Sequence, residues 1–275
     1  MHSWRSCLEN PQERDHFVQL YSNEEELVRN VAQFLSAGLR GDDLQLVVAT
    51  EEHRLVFCRE LDALSIDSEA AIKYGRLLFL DAKETLARFM INGHPNWSHF
   101  QRTICGIIEN LRGDSGLNLR VFGEMVGVLW KAGEYSAAIQ VEDYWNKLLH
   151  QGSFSLFCAY PIDVFTREFQ VSGVDSLLCD HTHLIPSANC DLLEQAITGA
   201  MLQVLGARSA EWHSRLQAAS RPSWGLVPQA EGMILWIREN LEHEAEDILR
   251  RARYNYKVLE NLARPGRPES AVIAS

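Results

Sequence analysis

Short unbroken apolar runs alternate along this chain with longer segments whose apolar residues recur every three or four positions. HFVQLYSNEEELVRNVAQFL (16–35) sets the pattern: a strand, a tight break, then an amphipathic helix carrying Leu27, Val28, Val31, Phe34, Leu35 and Leu39 on one side. Gly38 and Gly41 close that helix. LQLVVAT (44–50) is apolar throughout and bounded by acidic pairs, as expected of a strand buried on both faces of a parallel sheet. A helical stretch with Leu55, Val56, Phe57 and Leu61 leads to the strand RLLFLDA (76–82). Helical patterns follow over 83–91 and 98–112, then the strand LRVFGEM (119–125), a helix over 134–150 and the strand FSLFCAYP (154–161). Five strands separated by helices predict an α/β fold, a mostly parallel sheet with helices on both sides. The carboxyl ends of parallel strands share one edge, where ligands of such folds gather. That edge is predicted to carry Tyr21, Ser22, Thr50, Asp81, Gly123, Glu124, Met125, Tyr160 and Pro161.

Beyond Pro186 the pattern turns wholly helical. Residues 191–207 read as a helix, 208–230 as a connector with Pro222, Gly225 and Pro228, and Met233–Leu262 as one long amphipathic helix. Residues 1–13 and 265–275 read as disordered ends.

Composition narrows the class. The 275 residues are 46% hydrophobic, enough for a substantial core. No apolar run reaches the roughly 18–20 residues that span a bilayer, and the amino end lacks an export signal, so a cytoplasmic protein is expected. Six cysteines without CxxC spacing read as reduced thiols. A net charge of −11 argues against a nucleic-acid partner.

The break after the first strand is where a nucleotide-binding fold would place its phosphate loop. Here Ser22 or Asn23 caps a helix that opens with Glu24, Glu25 and Glu26. Without exposed glycine amides or a lysine, three carboxylates at this helix terminus repel a triphosphate.

HFVQLY (16–21), FLSAGLRGDD (34–43), LQLVVATEEH (44–53), GRLLFLDA (75–82), LRVFGEMVGVLW (119–130), VEDYWNKLL (141–149), FSLFCAYPIDVF (154–165) and HTHLIP (181–186) occur in an order that resembles the MEDS family of prokaryotic sensory domains. The resemblance covers residues 14–188 and leaves 189–264 as a C-terminal helical extension. It implies a RecA/KaiC-like fold with an eroded phosphate loop, and a role in detecting small hydrocarbon derivatives. Family members often carry a cysteine two residues after the histidine in a pattern like HxCxxY. In this chain His16 and Tyr21 are present, but that cysteine's position is Val18.

Several side chains carry candidate chemistry, each beside a plainer reading. His16 could contact a ligand or simply fix the opening of its strand. Glu124, ending a strand in GEM, could bond a ligand's polar group or serve structure. In VEDYWNKL, Glu142, Trp145 and Asn146 share a helix face suited to a small apolar molecule, with Trp145 read as packing. His181 and His183, two apart on a strand, would point to one side and could chelate a metal, but no third ligand is evident. Cys158 reads as a buried small hydrophobe. His243-Glu244 faintly resembles a phospho-accepting helix.

These readings combine into a non-catalytic sensor without a cofactor. The ligand-binding set is His16, Tyr21, Ser22, Thr50, Asp81, Glu124, Glu142, Asn146 and Tyr160. The C-terminal helices would pass the signal to a second copy or a signalling partner. The alternatives are a degenerate ATP-binding enzyme, a DNA-binding regulator acting through its C-terminal helices, and a scaffold with no ligand.

Overall fold

The computed structural model describes residues 4–170, 181–187, 189–218 and 227–263. Six parallel strands form one sheet: β1 (His16–Leu20), β2 (Leu44–Ala49), β3 (Leu77–Asp81), β6 (Leu119–Gly123), β7 (Ser155–Tyr160) and β8 (His183–Ile185). Their order across the sheet is β3-β2-β6-β7-β1-β8, so two strands separate β1 from β2. This α/β architecture is the one the apolar runs predict. Strand parity divides the core. Phe17, Val47, Phe122, Phe157 and Ile185 face α2 (Glu24–Arg40) and α3 (Glu51–Ala63), in a cluster of edge-to-face rings joined by Phe34 and Phe57. Val18, Leu46, Val48, Val121, Leu156 and Cys158 face the opposite layer of α6 (Trp97–Arg112), α7 (Met125–Lys131) and α8 (Tyr135–Gln151).

The break after β1 forms as its residues dictate. Asn23 caps α2, its Oδ1 accepting from Glu25 N at 2.9 Å, and Glu24–Glu26 occupy the first turn. Their charges complement the helix dipole.

Four boundaries differ from the sequence reading. The strand expected to reach Met125 stops at Gly123, because Glu124 leaves the extended conformation (φ −108, ψ 11) and Met125 opens α7. Gly127 of α7 lies so close to β7 that an added Cβ would sit 2.6 Å from Ala159 O, which explains a helix too short and glycine-containing to stand out in the pattern. Residues 83–91 hold only α5 (Ala82–Ala87). A two-stranded hairpin, β4 (Met90–Ile91) and β5 (His94–Pro95), follows it, turned by Asn92 and Gly93 at positive φ. The long helix over Met233–Leu262 is two helices, α11 (Gln229–Asn240) and α12 (Ala245–Ala263), because buried Leu241 adopts φ −128, ψ 47. Finally, residues 4–9, read as part of a disordered end, form α1 (Trp4–Glu9).

The remaining α-helices among the described residues are α4 (Ser68–Lys73), α9 (Cys190–Leu205) and α10 (Ser209–Ala218), the last within the expected connector. Residues 219–226 of that connector, Cys179 and the tail from Pro265 lie outside the described residues. α9 packs on α11 and α12 through Leu193, Ile197, Ala200, Ile234, Ile248 and Ala252, and this layer is continuous with the α6–α8 side of the core.

One buried cation holds the amino edge of the sheet together. Arg120 Nε donates to Asp43 Oδ2 at 2.7 Å, and its Nη atoms donate to the carbonyls of Leu8, Phe34 and Glu9 at 3.0–3.1 Å. Arg120 thereby ties α1 to the end of α2 and explains why residues 4–9 are ordered. Gly38 leaves room for it, since a Cβ there would lie 2.6 Å from Arg120 Nε. Arg120→Ala strands the Asp43 charge and three carbonyls. Chemical denaturation should show a loss of about 3–5 kcal/mol, the usual cost of breaking a buried ion pair; a loss below about 1 kcal/mol would contradict this account.

Candidate functional site

The carboxyl edge of the sheet brings Tyr21, Thr50 and Glu124 together, while Ser22 is exposed at the surface. Glu124 is largely engaged by the fold. One carboxylate oxygen accepts from Thr50 N at the start of α3, and the other meets His53 Nδ1 at 2.5 Å. Asp81 caps α5, its Oδ1 accepting from Lys83 N and Glu84 N at 2.9 Å, and Arg54 lies 3.4 Å from Oδ2. Burial, then the charges of Glu124 and Glu24, push the Tyr21 pKa far up, so its hydroxyl stays protonated at this edge.

A second cluster is buried among β1, β7 and α8. His16 opens β1 on the α8 side of the sheet, and Cys158 and Tyr160 lie on that same side of β7. From α8, Glu142 and Asn146 reach the same point, being four residues apart on one face. His181, just before β8, completes the group. Relative exposures are 1% for His16, 2% for Glu142, 0% for Cys158 and 5% for His181. Glu142 Oε1 lies 3.0 Å from His16 Nε2 and 3.1 Å from His181 Nε2. Tyr160 donates its hydroxyl to Glu142 Oε2 at 2.6 Å. His16 Nδ1 lies 2.8 Å from Asn146 Oδ1, and His16 Nε2 lies 3.5 Å from Cys158 Sγ. The two imidazole rings are 3.9 Å apart.

The electrostatics follow from this crowding. Burial, and then the neighbouring His181, hold the His16 pKa below its ordinary value. Burial alone would raise that of Glu142, but the two histidines overcome it and keep the group a carboxylate. Burial and the Glu142 charge push the Cys158 thiol well up.

Four residues of the expected ligand set, His16, Glu142, Asn146 and Tyr160, therefore converge on one buried point, with Tyr160 at the carboxyl end of β7 as expected. The expected His181–His183 pair does not converge. β8 begins only at His183, so strand alternation does not extend back to His181. His183 pairs in register with Phe17, stacks on that ring at 4.9 Å on the opposite side of the sheet, and has Nδ1 2.8 Å from Thr182 Oγ1. His243 lies exposed in the turn between α11 and α12, not on a helix. Cys158, read from sequence as a hydrophobe, and His53 are the residues that pattern alone undervalued. The signal for Cys158 was spatial: it lies in register with Val18 on the neighbouring strand.

The Glu124–His53 pair generates a pH prediction. Burial lowers the His53 pKa, but the hydrogen bond to Glu124 and the charges of Glu124, Glu24 and Glu52 raise it above 6.5 on balance. The folded state then binds the proton more tightly. The pair's contribution to stability is complete below pH 6.5 and fades as pH rises through the folded-state value. NMR titration should place His53 above 6.5 in the wild type and lower in Glu124→Gln. The stability gap between wild type and His53→Gln should shrink as pH rises; a gap that widens would contradict the assignment.

None of the curated proteins matches this chain. A family profile does: the MEDS domain, described as "MEthanogen/methylotroph, DcmR Sensory domain", matches residues 15–182. That span contains β1 through β7 and every residue of both clusters. The chain belongs to the MEDS family of sensory domains.

Proposed function

We propose that this protein is a non-catalytic sensor that binds a small organic molecule at the carboxyl edge of its sheet and passes the outcome to its C-terminal helices. The observation that carries the relay is a buried carboxylate. Glu231 of α11 accepts from Ser187 N at 2.9 Å and from Ser187 Oγ at 2.8 Å, fastening the helical layer to the residues just after β8. Arg238 of α11 adds bonds to Phe165 O and Thr166 O, and Arg253 of α12 pairs with Asp163. A shift of β7 or β8 therefore pulls directly on α11 and α12. A ligand drives such a shift only by binding the two arrangements unequally.

Two features support a sensor over a nucleotide enzyme. Acidic residues and an asparagine cap fill the phosphate-loop position, and the family is one of sensory domains. Tyr21, Thr50 and Glu124 offer the organic molecule an aromatic wall with a few polar atoms. The exposed side of the helical layer, with Leu202, Tyr254 and Leu262, faces a partner protein or a second copy.

Denaturing the purified protein and analysing the extract by mass spectrometry should release a small organic molecule, retained at least about tenfold less by Tyr21→Ala. Hydrogen exchange should show that its return slows exchange in α11 and α12, and that Glu231→Ala uncouples this response. Tight, magnesium-dependent ATP binding would overturn the reading.

A further inference from the structure

The interior cluster has the composition and spacing of a coordination sphere. His16 Nε2, His181 Nε2, Glu142 Oε1 and Cys158 Sγ all lie within 4.8 Å of one another, and all four residues are buried. We propose that these four atoms form a closed site for a divalent transition metal of the zinc class.

Geometry is the first argument. Tetrahedral zinc, with bonds of about 2.0–2.3 Å, places its ligand atoms roughly 3.3–3.8 Å apart. The contacts of 3.0, 3.1 and 3.5 Å around Glu142 Oε1 and His16 Nε2 need only small adjustments to reach that shape.

Donor chemistry is the second. Two imidazoles, a carboxylate and a thiolate are all zinc ligands, and the thiolate disfavours magnesium and calcium. As the metal binds, the Cys158 thiol releases its proton to solvent. The two anions then balance the 2+ charge, so the core holds a neutral assembly instead of an isolated ion.

The surrounding bonds are the third. An Nδ1–H donated to Asn146 Oδ1 leaves the His16 lone pair on Nε2, aimed at the cluster's centre. Tyr160 binds Glu142 Oε2 and leaves Oε1 facing both imidazoles. Metal sites use such outer partners to fix tautomer and ring orientation. With that tautomer, a lone pair on His16 Nε2 would face the Glu142 oxygen at 3.0 Å, and a cation between them turns both atoms into ligands.

Four protein donors and deep burial mark a closed site, which stiffens structure and leaves no open position for catalysis. It would staple β1, β7, α8 and the residues leading into β8. This inference stands apart from the organic-ligand reading, because either site could exist without the other.

The test uses the full chain, purified without chelators and with any affinity tag removed. Elemental analysis should find about one zinc per chain, and zinc-edge X-ray absorption should count one sulfur and three nitrogen or oxygen neighbours. Protein grown with cobalt(II) should show tetrahedral d–d bands and a thiolate-to-cobalt transition, the latter lost in Cys158→Ser. Metal content should fall at least about tenfold in His181→Ala. The absorption measurement needs no variant, so misfolding of the substitutions would not blunt the test. Less than about 0.1 metal per chain after incubation with zinc, a sulfur count other than one, or full metal retention in folded His181→Ala would each overturn the proposal.

Discussion

One buried carboxylate organises this protein's interior. Removing Glu142 from water costs several kcal/mol unless its oxygens are matched by donors or a cation. The fold meets that demand with groups from three other segments: His16 from β1, Tyr160 and Cys158 from β7, and His181 before β8, while Asn146, one turn along α8, holds His16 through Nδ1. None of these segments can move alone without leaving the charge exposed to an apolar core. The cluster therefore couples the middle of the sheet to the segment leading into β8, and the helical layer hangs from the residues just after that strand through Ser187 and Glu231.

The two polar clusters divide the labour. At the carboxyl edge Glu124 closes the sheet against α3, with the chain partly open to solvent around Tyr21, Ser22 and Thr50. In the interior the donors are sealed. A partly open edge and a sealed core suit the proposed sensor: the first would supply a differential contact, and the second would carry a small displacement as a rigid unit. Arg120 plays the corresponding part at the opposite edge, where it holds α1 and α2 to the amino ends of β2 and β6.

Much of this was legible in the sequence because burial leaves a periodic mark. Strands covered on both faces read as unbroken apolar runs, and β1, β2, β3, β6 and β7 stood out for that reason. The acidic break after β1 declared its own cap. Elements that escaped are those whose form depends on distant partners. α1 is ordered by Arg120, more than a hundred residues away, and α7 by its close approach to β7. The break at Leu241 leaves no proline or glycine to mark it. In the site, His16 at its strand's opening, Glu142 and Asn146 on a helix face and Tyr160 at a strand end were each singled out, but separately. Only tertiary structure places them in one interior point with His181. Val18 suggested that a thiol had been lost, yet the neighbouring strand supplies Cys158 at the same level of the sheet.

The most direct measurement is a crystal structure with anomalous data collected on both sides of the zinc absorption edge. The account predicts one strong anomalous peak, appearing only above the edge, at about 2.0–2.3 Å from His16 Nε2, His181 Nε2, Glu142 Oε1 and Cys158 Sγ. The same four side chains ordered around a water molecule, or around nothing, with no anomalous signal, would contradict it.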